Sequence, residues 1–239
     1  MKFSVLTMFP DHFHDFRTFP IPARAEKSGN AEIQIVDIRE FAGGSFRHID
    51  DSPYGGGAGM IMRVEPVVKA LRSVTDHASG KDAKKPHIIL FAPTGKQYTQ
   101  ADARRLAEEE HLILLCGHYE GMDARVYDYA DEVISLGDYI LSGGELASMI
   151  LMDSIIRLLP GNLRKESTED ESFEHGLLEY LQYTRPAEFE GKRVPDVLLS
   201  GNHEEIRKWR EEQSLMLTRE TRPDLYEAYM KRKEKGADK

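Results

Sequence analysis

The sequence has little cysteine, no long apolar run and no excess of positive charge. Cys116 is the only cysteine among 239 residues, so an intramolecular disulfide is excluded and a cysteine-based zinc site within one chain is not expected. The nine histidines are scattered, and none forms an H-x-x-x-H pair that would indicate a transition-metal cage. These absences argue against disulfide-stabilised and zinc-dependent classes of protein.

No stretch approaches the roughly 18 consecutive apolar residues of a membrane-spanning helix. The first strand-like segment is followed by Pro10 and Asp11 and not by the apolar core of a signal peptide. We therefore expect a cytoplasmic protein with no membrane partner.

The net charge of −9 argues against a protein that coats nucleic acid by bulk electrostatics. The charge is uneven, because residues 185–239 hold 13 Lys and Arg against 12 Asp and Glu while the rest of the chain is strongly acidic. If nucleic acid binds, it must be held by local patches.

Short strand-like runs alternate with helical patterns over the first two thirds of the chain. The predicted strands are residues 2–9, 33–38, 87–91, 112–116 and 132–135. The predicted helices are residues 66–74, 101–110, where Thr99 and Asp102 resemble a capping box, and 145–159. This alternation predicts an α/β domain with a mostly parallel sheet flanked by helices on both faces.

The character of the sequence changes after Pro160-Gly161. We predict a main domain at residues 1–161, a polar and acidic interdomain linker at residues 162–176, and a small helical domain at residues 177–239. In that last part Asn202 can cap one helix and Pro223 can open another.

A glycine-rich segment follows Asp50-Asp51 and runs from Pro53 to Gly59. With four glycines in five residues, it lets a base or a phosphate approach the backbone closely. A flexible surface loop is the alternative interpretation.

Two further turns, Leu115 to Asp123 and Leu136 to Glu145, follow predicted strands. Ligands of open α/β sheets bind at the carboxyl ends of strands, so both turns are candidate ligand loops. We interpret Cys116 as a buried small residue and not as a nucleophile. His118 is either a general base or an ordinary loop histidine.

The helix after Asn202 carries Arg207, Lys208 and Arg210 beside Trp209. These residues form a candidate phosphate-contacting face with an aromatic ring. Equally, Ile206 and Trp209 could face the core and leave the charges solvated.

Five motifs in fixed order closely resemble the bacterial tRNA (guanine-N1)-methyltransferase family, over residues 9 to about 223. They are Asp50-Asp51 with Pro53-Tyr54-Gly55-Gly56-Gly57; Cys116-Gly117-His118-Tyr119-Glu120-Gly121; Gly137-Asp138-Tyr139 with Gly143-Gly144-Glu145-Leu146; Tyr183-Thr184-Arg185-Pro186; and Leu198-Leu199-Ser200-Gly201-Asn202-His203. The resemblance implies the SPOUT fold, an α/β domain with a C-terminal trefoil knot. It also implies a homodimer with each active site at the subunit interface, and methylation by S-adenosylmethionine of N1 of guanosine 37 of tRNA, 3′ to the anticodon.

The resemblance further implies two sets of binding residues. The S-adenosylmethionine set is Pro93, Thr94, Gly95, Gly117, Tyr119, Glu120, Gly121, Leu136, Gly137, Asp138, Tyr139, Ile140, Leu141, Gly143 and Gly144. The tRNA set is Asp50, Tyr54, Gly55, Gly56, Gly57, Gly59, Arg185, His203, Arg207, Lys208 and Arg210. Assistance by Mg²⁺ is implied as well, although the sequence shows no magnesium site.

Guanine N1 carries a proton at neutral pH, so a carboxylate should remove it while an arginine stabilises the charge on O6. By the family pattern the arginine is Arg157. The family commonly has Asp immediately before Ser172-Phe173, where this chain has Glu171 with Asp170 one residue earlier. The base is therefore Glu171 or Asp170.

Three smaller departures from the family pattern lie near the expected cofactor loops. They are Ala58 and Ala147 where proline is usual, and Thr94 where glutamine is usual. Two other functions remain open: a catalytically silent RNA-binding protein on the same scaffold, and a knotted methyltransferase that acts on ribose 2′-OH or on rRNA.

Overall fold

The computed structural model describes residues 1–43, 48–75, 84–163 and 171–236. The chain divides into two units, Met1–Leu163 and Arg164–Lys239. Within the described ranges, no helix combines the length and the apolar character needed to cross a membrane.

The first unit is built on a sheet of five parallel strands. The strands of the whole first unit, in chain order, are β1 (Lys2–Thr7), β2 (Glu32–Asp37), β3 (Asp50–Asp51), β4 (Ile61–Met62), β5 (His87–Gln97), β6 (His111–Leu115) and β7 (Glu132–Ser135). The main sheet has the order β2-β1-β6-β5-β7, and β3 pairs with β4 as a separate antiparallel ribbon. The predicted parallel sheet is confirmed.

Helices cover both faces of this sheet, as predicted. They are α1 (Phe13–Phe16), α2 (Pro20–Ser28), α3 (Val64–Thr75), α4 (Gln100–Leu106) and α5 (Glu145–Ile156). Successive residues of β6 point to opposite faces: Leu112 and Leu114 join the core under α1, α2, α4 and α5, while Ile113 and Leu115 join the core under α3. A strand buried on both faces is apolar throughout, which explains the run from Leu112 to Cys116.

Strand β5 is longer than the sequence predicts. It continues to Gln97 instead of ending at Phe91, and its pairing with β7 shifts because Phe91 and Lys96 both lie opposite Ile134. Gly95 lies within this irregular stretch, and a Cβ atom there would lie 2.6 Å from the backbone of Ile134. The glycine therefore lets the strand pass close to β7.

The predicted starts of the helices agree with the structure better than their predicted C-terminal ends. Thr99 and Asp102 form the capping box of α4, with the Asp102 amide donating to Thr99 Oγ1 at 3.4 Å and the Thr99 amide donating to Asp102 Oδ2 at 3.1 Å. Helix α4 ends at Leu106, before the predicted 110, and α5 ends at Ile156, before the predicted 159.

The described part of the second unit contains a short hairpin and three helices. These are β8 (Glu188–Phe189), β9 (Lys192–Arg193), α6 (Asp196–Leu199), α7 (His203–Thr221) and α8 (Pro223–Glu234). Asn202 caps α7 through its side chain and Pro223 opens α8, as predicted. Of the predicted linker, residues 164–170 lie outside the described residues, whereas residues 171–176 make hydrogen bonds within the second unit.

Candidate active site

At one edge of the main sheet, the turn after β6, the turn after β7 and the irregular stretch of β5 enclose a cavity of about 410 Å³. Strand β6 ends at Leu115, opposite Leu90 of β5, and β5 brings Phe91 opposite Ile134 of β7. These three segments therefore start from the same level of the sheet. A crevice at the carboxyl ends of parallel strands is the usual ligand site of an open α/β sheet.

Backbone contacts join the turn after β6 to the turn that leads into α5. The amide of Gly144 donates to the carbonyl oxygen of Gly117 at 2.8 Å, and His118 bridges to Gly143. A Cβ atom at Gly144 would lie 2.7 Å from Cα of Cys116, and one at Gly143 would lie 2.4 Å from Oε2 of Glu145. Gly144 is therefore required for the turns to meet, because the atom that its Cβ would meet belongs to the backbone of the other turn.

A buried polar network supports the turns from below. Thr7 Oγ1 donates to Glu145 Oε1 at 2.7 Å and accepts from the Phe9 amide at 2.9 Å. Cys116 Sγ and Ser148 Oγ lie 3.0 Å apart. Burial, reinforced by the nearby charge of Glu145, raises the pKa of the Cys116 thiol, so the thiolate is disfavoured. Cys116 is a buried structural residue, as predicted.

His118 lies in the cavity wall. Its ring packs against Phe9 and Tyr119, with centroid separations of 4.9 and 5.3 Å. Its Nδ1 atom is buried and has no hydrogen-bond partner among the residues that the structure describes. The ring is thus held by aromatic packing, and the alternative roles predicted for it remain open.

The structure brings together most of the residues that the resemblance implied for S-adenosylmethionine. Those that line the cavity are Pro93, Gly117, Tyr119, Glu120, Gly121, Leu136, Gly137, Tyr139, Ile140, Leu141, Gly143 and Gly144. Thr94, Gly95 and Asp138 are not part of the lining.

The lining also contains residues that the sequence did not single out for the cofactor. They are Leu90, Phe91, Ala92, His118, Met122, Tyr127, Ile134, Ser135, Ser142 and Ala147. Most adjoin a motif in sequence and could have been inferred by extending it. Tyr127 lies in the 3-10 helix Ala124–Tyr129, outside every motif, so only the packing of that helix identifies it.

The glycine-rich segment adjoins the turn after β6. The Glu120 amide donates to the Met60 carbonyl at 3.1 Å, and the Met62 amide donates to the Gly121 carbonyl at 2.9 Å. A Cβ atom at Gly59 would lie 2.4 Å from Cγ of Glu120. The predicted tRNA segment thus lies beside the cavity and presents a fully exposed Tyr54.

The glycines of this segment have backbone conformations that other residues rarely adopt. Their φ angles lie between +79° and +135°, at Gly55, Gly56, Gly57 and Gly59. Burial is the main factor that raises the pKa of the Tyr119 hydroxyl, and the negative charge of nearby Asp50 raises it further. Asp50 is therefore an acidic neighbour of the cavity wall.

The predicted catalytic residues fall in different units. Arg157 directly follows α5 in the first unit, half-buried, with its amide donating to the Asp153 carbonyl at 3.2 Å. Glu171 is half-buried and belongs to the second unit. Asp170 lies outside the described residues.

The predicted tRNA residues of the second unit are exposed, and the three cations on α7 have partners. Arg207 pairs with Glu211 at 2.9 Å and Lys208 with Glu204 at 2.8 Å. The guanidinium of Arg210 lies 4.7 Å from the ring centroid of Tyr180. Both readings of this helix hold in part, because Ile206 and Trp209 are half-buried while Arg207 and Lys208 are solvated.

The remaining predicted tRNA residues are Arg185 and His203, and both are exposed. Exposed ion pairs of the kind made by Arg207 and Lys208 contribute only about 0.3–0.5 kcal/mol each on a helix. These two ion pairs therefore cost little to break, which leaves Arg207 and Lys208 able to pair with a phosphate instead.

No group of three or more His, Cys, Asp or Glu side chains that could hold a metal ion occurs in the described ranges.

Comparison with known proteins identifies the family of this chain. The family model described as tRNA (Guanine-1)-methyltransferase TrmD matches residues 1–228. A tRNA (guanine-N(1)-)-methyltransferase of Clostridium acetobutylicum is 51% identical over 235 residues, which are 98% of this chain and 94% of that protein. The protein of the same name from Geobacillus kaustophilus is 49% identical over 231 residues, covering 96% of this chain and 93% of that protein. This chain therefore belongs to the tRNA (guanine-1)-methyltransferase family.

Proposed function

We propose that this protein transfers the methyl group of S-adenosylmethionine to N1 of guanosine 37 of tRNA, the nucleotide 3′ to the anticodon. The observation that carries the proposal is the cavity enclosed by two turns and the irregular stretch of β5, with the glycine-rich segment beside it. Family membership supports the reaction, and the cavity supports a small-molecule methyl donor.

The cavity fits such a donor in size and chemistry. Its volume of about 410 Å³ falls in the range of ligand pockets, roughly 300–1,000 Å³. Apolar side chains such as Leu136 and Ile140 offer a surface for the adenine ring, while the glycine turns offer backbone donors and acceptors. When bound, S-adenosylmethionine supplies an electrophilic methyl group on a sulfonium sulfur. Thr94, Gly95 and Asp138 remain predicted contacts of the donor.

In this proposal Glu171 is the general base and Arg157 stabilises the charge that develops on guanine O6. A neutral guanine N1 is a poor nucleophile, because its lone pair becomes available in the ring plane only after the proton leaves. A carboxylate at hydrogen-bond distance from N1 accepts that proton, and a guanidinium donates to the resulting oxyanion. Asp170 is the alternative base.

The tRNA is held in this proposal by the glycine-rich segment and by the second unit. Arg185, His203, Arg207, Lys208 and Arg210 would contact the phosphate backbone, which positions the RNA and carries little sequence information. The glycine-rich segment, with Asp50 and Tyr54, would contact the nucleotide near the cavity, since its glycines leave the backbone accessible.

We also propose that the protein is a cytoplasmic homodimer and that the C-terminal part of its first unit forms the trefoil knot of the SPOUT fold. Leu146 and Ile150, one turn apart on α5, are 54% and 49% exposed. A pair of exposed aliphatic side chains on a helix that begins at the cavity suits a subunit interface that shares the active site. A need for Mg²⁺ remains a prediction from the family.

The test is transfer of labelled methyl from S-adenosylmethionine to a tRNA transcript with guanosine at position 37, with and without Mg²⁺. We expect N1-methylguanosine at that one nucleotide after nuclease digestion and mass analysis. Binding of tRNA without transfer would favour the silent RNA-binding protein, and a ribose-methylated product would favour the 2′-OH enzyme.

The base assignment is tested by Glu171→Gln in single-turnover reactions. Removal of a general base lowers the rate by about 10²- to 10⁴-fold, whereas donor affinity should be unchanged. Glu174→Gln, the same chemical change three residues along, is the matched control and should remain active. If Asp170→Asn is damaging and Glu171→Gln is mild, the base is Asp170.

A further inference from the structure

Residues 171–177 form a compact turn, called here the base turn because it begins at Glu171. The Glu174 amide donates to the Glu171 carbonyl at 3.2 Å, and the Phe173 amide donates to the Leu177 carbonyl at 2.7 Å. Phe173 and Gly176 both have a φ of 78°. The backbone of Glu171 is thus part of a hydrogen-bonded unit and not of an extended strand.

Helix α7 holds the residue that leaves the base turn. Thr218 is fully buried, and its Oγ1 accepts from the Leu178 amide at 2.9 Å while donating to the Ser214 carbonyl at 2.7 Å. Ser214 Oγ in turn donates to the Leu178 carbonyl. Both backbone polar groups of Leu178 are therefore bonded to one face of α7.

Helix α8 holds the middle of the base turn. Arg232 Nη2 donates to the His175 carbonyl at 2.9 Å. A Cβ atom at Gly176 would lie 1.9 Å from the same nitrogen, so the guanidinium lies directly on the backbone of the turn. A third bond, from the Glu179 amide to Ser172 Oγ at 2.9 Å, closes the turn on itself.

We propose that Thr218 and Arg232 are positioning residues for the general base. They fix the base turn to α7 and α8, so that the helices that grip tRNA and the carboxylate that deprotonates guanine move as one body. Arg207, at the start of α7, lies 11 residues from Thr218 on the same helix, about 16 Å at 1.5 Å per residue. This inference rests on the proposed function, because it assigns the base to Glu171.

The physical reason is the sensitivity of proton transfer to distance. A displacement of about 1 Å at a reacting group costs on the order of 10²-fold in rate. Loss of the Thr218 hydroxyl would leave the Leu178 amide without its partner and loosen the exit of the base turn. The phosphate contacts at the other end of α7 would be unaffected.

The experiment compares Thr218→Val with Thr218→Ser and Thr221→Val in the full-length protein. Thr221 lies on the same helix and donates to the Leu217 carbonyl at 2.8 Å, but it is exposed and does not contact the base turn. We expect Thr218→Val to lower the single-turnover rate by about 10- to 100-fold with tRNA affinity within about twofold of wild type. Thr218→Ser should restore the rate, and Thr221→Val should leave it unchanged.

A double variant separates positioning from general destabilisation. If Thr218 acts through Glu171, adding Thr218→Val to Glu171→Gln gives little further loss, because the base is already absent. Full multiplication of the two losses would overturn the inference, as would equal rates for Thr218→Val and Thr221→Val. If Thr218→Val does not fold, the single-turnover rate of Arg232→Gln is compared with that of wild type instead, because this substitution removes only a surface contact. A wild-type protein that methylates no guanosine N1 would instead refute the proposed function.

Discussion

Replacement of Thr7 by valine tests how the sheet supports the cavity. Valine keeps the shape of the side chain but removes the hydroxyl that donates to Glu145 Oε1 and accepts from the Phe9 amide. Thr7 is fully buried and Glu145 is only 6% exposed, so water cannot readily replace the lost partner. The carboxylate of Glu145 is left with one hydrogen bond fewer at the N-terminus of α5.

The expected cost follows from the charge and the burial of the acceptor. A hydrogen bond to a charged group contributes about 1.5–3 kcal/mol to folding. The bond from the Phe9 amide adds less, because Phe9 is only half-buried. For a domain of this size, 1 kcal/mol corresponds to roughly 2–4 °C in Tm, so Thr7→Val should lower the Tm by about 3–12 °C.

The assay is thermal unfolding followed by far-UV circular dichroism. Trp209, the only tryptophan, lies in the second unit and gives a separate fluorescence readout for that unit. Thr7→Ser is the control, because it keeps the hydroxyl and loses one methyl group, which costs roughly 0.8 kcal/mol. Equal shifts for Thr7→Val and Thr7→Ser would show that packing, and not the bond to Glu145, accounts for the stability.

Two further predictions concern single side chains of the first unit. Gly144→Ala should destabilise the protein by about 1–3 kcal/mol and weaken donor binding, because the new Cβ atom meets the backbone of Cys116; Gly117→Ala, whose Cβ atom would meet only Met122 at 3.7 Å, should be mild in urea unfolding and donor titration. Burial tends to raise the pKa of Asp102, but hydrogen bonds from Lys96, Thr99 and Arg105 outweigh it and hold that pKa below 3.8. The stability that Asp102 contributes is therefore present above its unfolded pKa and is lost as the pH falls through its folded value, so Asp102→Asn should flatten the decline of the urea midpoint below about pH 4. An unchanged decline would mean that other carboxylates dominate.

Local signals in the sequence were sufficient for much of the fold. The strand predicted at residues 112–116, observed as His111–Leu115, was found because a strand buried on both faces must be apolar. The caps at Thr99 and Asn202 were found because their side chains satisfy free amides of the first helical turn. The ends of α4 and α5 were predicted too late, because Ala107 and the glutamates after it are good helix formers, and because Leu158 and Leu159 continue the apolar pattern of α5. The extension of β5 to Gln97 was missed because it depends on pairing with β7.

The candidate site, like the fold, could be predicted from the sequence only in part. Motif order alone identified the family and the turns around Gly117 and Gly144, and the turn at Gly144 needs glycine because another backbone approaches it. The identity of that other backbone is a long-range fact: the contact between Gly144 and Cys116 and the bond from Thr7 to Glu145 join residues 28 and 138 positions apart. Sequence patterns report local conformation and burial, whereas the enclosure of a cavity and the attachment of the base turn to Thr218 and Arg232 arise only when distant segments pack together.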